Sequence, residues 1–256
     1  MTIDSARAAA VEAKGYIGTL GGEWMSSDAE EEASEAAGLP GWQLYFLGRH
    51  GVLGDVDPDV ILAAAYIFPA DYLRQEWTAA RKVMTPAEAL SRYLEVCRGW
   101  GRERLAGFSD AGRLADLGQR VIDGADVIGL PLFAGWRAVP MPAGTDEGAH
   151  LERCAQVCQV LREHRGACHG VALAALQLSP LVAILCNPDG KAGEENASEY
   201  GWQPPFPEPT NNDRALRARV EELTDDLVAP AYEALSREEQ SEFVALLARA
   251  HAHISA

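Results

Sequence analysis

Six consecutive residues, His164-Arg165-Gly166-Ala167-Cys168-His169, carry the densest chemistry in the chain. On a helix, His164 and Cys168 are four residues apart and so neighbours, while Arg165 and His169 form a second pair on the adjacent stripe. A guanidinium is a forked donor suited to a carboxylate or another oxyanion. A neutral imidazole beside it can donate one hydrogen bond and accept another. It also titrates near neutrality, where acid–base catalysis operates. Three readings stay open on the residues alone: a core histidine with Arg165 in an internal ion pair, a ligand pocket, or an acid–base centre built on His164 or His169. A metal site fits less well. His164 and His169 lie about 140° apart around a helix, and a His164/Cys168 pair would need ligands from elsewhere, so no metal is expected.

A second wall is needed to make a pocket. Trp42, Tyr45 and Arg49 supply one, with Tyr45 and Arg49 four residues apart on a short apolar helix; Tyr66 and Trp136 are further candidates. Trp and Tyr are large, carry one polar atom, and often line cavities that hold planar organic ligands. The expected catalytic residues are therefore His164 and His169, with Arg165, Tyr45, Arg49, Trp42, Tyr66, Trp136 and Cys168 binding the substrate. The sequence contains no GxGxxG, Walker, GxSxG or HExxH motif. Gly18 to Gly22 lacks the preceding strand that a phosphate loop requires, and no organic cofactor is expected.

The elements that must position these residues read mostly as helices. Alanine is abundant and β-branched residues are sparse, which favours helix. The pattern predicts helices over 5–20, 26–37, 42–49, 58–68, 85–105 and 110–124, then a long one from 146 to 177 with Gly166 as a weak point. Short or terminal helices follow over 178–186, 212–229 and 236–253. Asp57-Pro58, Thr85-Pro86-Ala87-Glu88 and Ser236-Arg237-Glu238-Glu239 are cap signals. The helix after Thr85 should expose Arg92 and bury Leu90, Tyr93, Leu94 and Cys97. The acidic run Glu30-Glu31-Glu32 reads as a solvated helix face. Gly129 to Pro140 is too broken for a regular helix and reads as an ordered crossing segment. Residues 187–212 read as loop, with a turn at Asn187-Pro188-Asp189-Gly190 and a proline-rich stretch at 204–209.

Composition sets the outer bounds. The chain has 256 residues, 48% of them hydrophobic and 23% charged, enough for one large globular domain or two small ones. We expect a division into an N-terminal helical domain, 1–145, and a C-terminal domain, 146–256. A formal net charge of −16, from 22 Lys plus Arg against 38 Asp plus Glu, weighs against a phosphate-tracking surface. The five cysteines have no CxxC or CxxH spacing and read as buried reduced thiols. No apolar run approaches membrane-spanning length, and the start lacks the features of a signal peptide, so a cytoplasmic protein without membrane contact is expected.

Several strings together resemble a known group. They are Tyr45-Phe46-Leu47-Gly48-Arg49 with Pro58 and Val60, the Thr85-Pro86-Ala87-Glu88 start, Gly129 to Pro142, Leu161-Arg162-Glu163-His164-Arg165-Gly166 with His169, and Glu221-Glu222-Leu223-Thr224-Asp225. The chain is similar to little-characterised actinobacterial proteins of helix-turn-helix or winged-helix-like type, some encoded near natural-product genes. Members of that group carry Asp-Gly where this chain has Ala167-Cys168. They also continue past a Gly-Trp into a helix and wing, where Tyr200-Gly201-Trp202 here meets the prolines almost at once. The resemblance implies a mainly α fold of tandem winged-helix-like (MarR-like) halves with a degenerate wing, and a homodimer through the terminal helices. It leaves little machinery for reading a major groove. The expected function is a cofactor-independent enzyme of a specialised pathway, using a His/Arg pocket for acid–base catalysis on an anionic or polar organic substrate. The alternatives are a non-catalytic small-molecule-binding accessory protein and a ligand-responsive transcription regulator.

Overall fold

The cap signals mark helix starts in space as they do in sequence. A computed structural model describes residues 3–186 and 193–255. The chain begins with α1 (Ile3–Leu20), α2 (Asp28–Ala37) and α3 (Gln43–His50). Helix α2 ends at Gly38, whose φ of 68° is the left-handed conformation glycine adopts without a Cβ penalty. Asp57 caps α4 (Pro58–Ala64), accepting from the Asp59 amide at 2.9 Å with Pro58 in the first turn. Pro69, which could interrupt or restart the helix, does both: the expected 58–68 helix stops short at Ala64 and α5 (Ala70–Ala80) follows the proline. At α6 (Pro86–Arg104) the capping box closes in both directions: Glu88 N donates to Thr85 Oγ1 at 3.3 Å and Thr85 N donates to Glu88 Oε2 at 2.9 Å. Tyr93, Leu94 and Cys97 on it are buried, Leu90 is half-buried and Arg92 is exposed.

After α7 (Ala111–Gly124) comes a correction. Pro131–Arg137 is a regular helix, α8, because Pro131 occupies its first turn, where the missing amide costs nothing. Asp146 caps α9 (Glu147–Ala175), which runs unbroken through Gly166. Next are α10 (Pro180–Leu185) and α11 (Gly193–Glu199), the latter a helix inside the stretch expected to be loop. The turn expected at residues 187–190 lies outside the described residues. The chain closes with α12 (Asn211–Val228) and α13 (Arg237–Ile254), whose Ser236–Glu239 capping box is complete. A second correction concerns Glu30. It is buried rather than solvated, and burial together with Glu31 pushes its carboxyl up to about 7.

The chain is mainly α. Among the described residues there is no strand, and so no paired hairpin of the kind that forms a wing. None of the described helices is long and apolar enough to cross a membrane. Helix α9 is the axis of the molecule, packing on α1, α6, α7, α8 and α12. The main core draws on residues from α1 to α13 on both sides of position 145, and a smaller core joins the C-terminal end of α9 to α10 and α12. Helices α1 and α13 pack on each other, burying Phe243, Leu246, Leu247 and Ala250. All five cysteines are free and buried.

Candidate functional site

Arg49 is the last but one residue of α3, and it faces the middle of α9. There its guanidinium meets Glu163 through two parallel bonds, Nε to Oε1 and Nη2 to Oε2, both 2.7 Å. The arginine is 8% exposed and the glutamate 0%. Two charges this deep are tolerated only because their donors and acceptors are satisfied. Gln159 Nε2 donates to Glu163 Oε1 at 2.7 Å, and Arg49 Nη1 donates to the Tyr45 hydroxyl at 2.8 Å. Burial alone would lower the arginine's pKa, but the adjacent carboxylate outweighs it and holds the charge above its ordinary range. Likewise burial opposes the Glu163 charge, and Arg49, with help from Arg162, keeps the carboxyl below its ordinary value. Glu163 carries no assigned role in the sequence reading. Its only sequence signal was a carboxylate in an otherwise apolar, basic stretch.

Above this pair opens a cavity of about 250 Å³ between α1, α3, the α4–α5 link, α9 and α12. Five of the nine residues singled out in the sequence line it: Tyr45, Arg49, Tyr66, Arg165 and His169. The other four do not. His164 and Cys168 face a different cavity, of about 310 Å³, with Asp126, Ile128, Leu130 and Val171. The His164 ring lies 4.6 Å from that of Phe133, and burial pushes its pKa down to about 4 and the Cys168 thiol up to about 11. Trp42 belongs to an aromatic cluster with Tyr45, Phe68 and Tyr200, its indole N–H donating to the Glu199 carbonyl at 3.2 Å. Trp136 is fully buried behind the site and donates to the Arg49 carbonyl at 3.0 Å. It fixes the arginine's backbone and does not line the cavity above the Arg49–Glu163 pair. The expected partnership of His164 with Arg165, Tyr45 and Arg49 is therefore corrected, because successive residues of a helix point about 100° apart.

Arg165 and His169 remain together, facing α12. Arg165 donates from Nη1 to Asp225 Oδ1 and from Nη2 to Glu221 Oε2, each at 2.7 Å. Asp225 also takes Lys14 of α1 at 3.1 Å. The internal ion pair named as one reading of Arg165 is thus what its terminal nitrogens make. Thr224 Oγ1 donates its proton to the Val220 carbonyl at 2.7 Å, so towards His169 Nδ1, 3.1 Å away, it can only accept. Nδ1 therefore carries the His169 proton and Nε2 keeps a lone pair. Burial drives the His169 pKa down to about 4, Arg217 and Arg165 add to this, and the Glu221 and Asp225 carboxylates oppose it.

Arg162, quoted in the sequence motif but never singled out, completes the wall. Its side chain crosses Gly22 so closely that a Cβ there would sit 2.9 Å from Nε. Its ion-pair contact is Glu163 Oε1 at 3.7 Å, an oxygen already accepting from Arg49 and Gln159. Two lining glycines, Gly18 and Gly166, stand inside helices where an added Cβ would meet nothing within 4 Å. Among the described residues no three His, Cys, Asp or Glu side chains are grouped to hold a metal ion. A family model described as a helix-turn-helix family matches residues 23–256. No curated protein and no solved structure matches the chain.

Proposed function

The chain belongs to the helix-turn-helix family, and on that premise we propose that it binds a small organic anion in the cavity between α1, α3 and α9. One observation carries this. Arg162 presents a half-buried cation whose only carboxylate contact among the described residues, at 3.7 Å, is to an oxygen already spent on other donors. The remaining cations of the wall, Lys14, Arg49 and Arg165, meet carboxylates at 2.7 to 3.1 Å, with Lys14 and Arg165 sharing Asp225. An incoming carboxylate or sulfonate would complete Arg162 with a charge-assisted bond. Gly18 and Gly166 support the reading. A glycine inside a helix costs about 1 kcal/mol relative to alanine, and at these two positions no neighbour requires the missing Cβ.

Titration of the full chain with sodium benzoate tests the proposal. Binding should weaken about tenfold or more in Arg162→Gln, the worth of one charge-assisted bond, with little change in thermal stability. Equal affinity in the variant would take this cavity out of the function.

A second reading, acid–base catalysis on the bound anion, is favoured by His169. Its proton sits on Nδ1, and with a pKa of about 4 its Nε2 is unprotonated at pH 7 and free to accept a proton. Turnover that His169→Gln abolishes while binding survives would support it; His164 has no part in this version. The family also accommodates a ligand-responsive regulator acting in the cytoplasm. Against a phosphate-tracking face stand the net charge of −16 and the pairing of many surface arginines, among them Arg74, Arg102, Arg113, Arg120 and Arg249, with carboxylates of the same chain. Salt-dependent binding to its own upstream DNA would establish the regulator.

A further inference from the structure

The cationic cavity has a neighbour of opposite character. A second cavity, of about 300 Å³, shares Arg49, Ala64, Tyr66 and Gly166 with the first. Beyond those shared residues its wall is apolar, drawn from Leu130, Pro131 and Leu132 at α8 and Ala167, Val171 and Ala174 on α9. The Tyr66 side chain stands between the two. Its hydroxyl donates to the Gly166 carbonyl at 2.8 Å, and its ring lies on α9 at Gly170, where a Cβ would come within 2.7 Å of the ring.

This partition is cheap to move. Gly166 lies inside the continuous helix α9, so its carbonyl keeps the bond from the amide four residues on when Tyr66 leaves. Tyr66 itself sits in the link between α4 and α5, outside either helix.

We infer that the ligand is an amphipathic organic acid, with its anionic head at Arg162 and its apolar chain passing Tyr66 into the cavity walled by Leu130, Leu132, Val171 and Ala174. The inference rests on the anion reading above and adds the apolar half of the ligand. Charge complementarity fixes which end enters which cavity. Gly166 leaves the passage open between them, since an added side chain there would project into the space both cavities share.

Calorimetric titration of the full chain with sodium butyrate, sodium decanoate and decyltrimethylammonium tests it. Decanoate should bind at least about tenfold tighter than butyrate, because six more methylenes leave water, and the cationic amphiphile should bind far more weakly than decanoate. Ala174 is exposed on α9, so Ala174→Phe fills the apolar cavity without disturbing the core. It should erase the chain-length preference and leave butyrate unchanged. Tyr66→Phe should tighten decanoate by roughly twofold to tenfold, since one hydrogen bond no longer has to be broken. Equal affinity for butyrate and decanoate, or an Ala174→Phe variant that keeps the preference, would overturn the inference alone, provided butyrate binding still depends on Arg162. If Arg162→Gln is silent towards butyrate and benzoate alike, the anion reading falls as well. Decyltrimethylammonium binding as tightly as decanoate would overturn the assignment of the head.

Discussion

Two sides of α9 receive pairs from the same six-residue string and make opposite things of them. Arg165 and His169 face α12, where Glu221, Thr224 and Asp225 hold them in a network of bonds between 2.7 and 3.1 Å. His164 and Cys168 face α8 and the turn after α12, among Phe133, Leu130 and Pro230, with no carboxylate pairing. The two histidines reach similar pKa values of about 4 by different routes. His164 is lowered by burial alone. His169 is lowered chiefly by burial, with arginines and carboxylates pulling in opposite directions around it. A histidine stands on each side; its companion, Arg165 or Cys168, and the segment that covers it decide whether the position is electrostatic or merely packed.

The largest effect should come from the charged side's foundation. Glu163→Ala leaves Arg49 buried without its carboxylate, at a cost of about 3–5 kcal/mol. Urea denaturation should show it, and the double variant Glu163→Leu with Arg49→Met should recover more than half. A loss below about 1 kcal/mol would mean that the pair is not the anchor of this side.

Acid should act on both sides. His164 and His169 ionise near pH 4 when folded and near 6.5 when unfolded. Between those values the unfolded chain binds more protons. The stability they contribute is complete above pH 6.5 and is lost as the pH falls towards 4. At pH 5 each histidine accounts for about 2 kcal/mol. Buried His50, pushed down to about 3 mainly by burial and then by Arg49, adds a loss of the same sign. Thermal melts from pH 7 to 4 should fall accordingly, with a shallower acid limb in His164→Phe. The comparison sharpens with Glu221→Gln: NMR titration should show the His169 pKa falling further and that of His164 unmoved. Equal shifts in both would erase the distinction between the sides.

The smallest effect is a trade. Gly166→Ala should stabilise α9 by about 0.5–1 kcal/mol, because the new methyl meets no atom within 4 Å. It should also weaken anion binding, since the methyl projects into the cavity. A stabilised variant with undiminished benzoate affinity would show that the glycine is not kept for the ligand.

Much of the helical frame is legible in the residues. Thr85 with Glu88, Ser236 with Glu239, and Asp57 before Pro58 announce helix starts because a cap is satisfied within four residues of itself. The i,i+4 pairing of His164 with Cys168 and of Arg165 with His169 is local too. Three short helices, α5, α8 and α11, escape such reading. Two of them follow or begin with a proline that also fits a break, and their stability comes from packing rather than from their own few turns.

The sequence by itself thus determined a mainly helical chain, the starts of its longer helices, and which side chains share a stripe. Only the tertiary structure decided what each stripe faces. Helix α9 is covered on several sides, so its wheel has no single inner face, and Glu163, assigned no role, becomes the buried partner of an arginine 114 residues away. Arg162 owes its weakly paired charge to the same circumstance, because Arg49 reaches the shared carboxylate first. A helix dictates angles between its own residues through bonds a few positions long. What stands opposite them is set by the packing of distant segments, which no local spacing encodes.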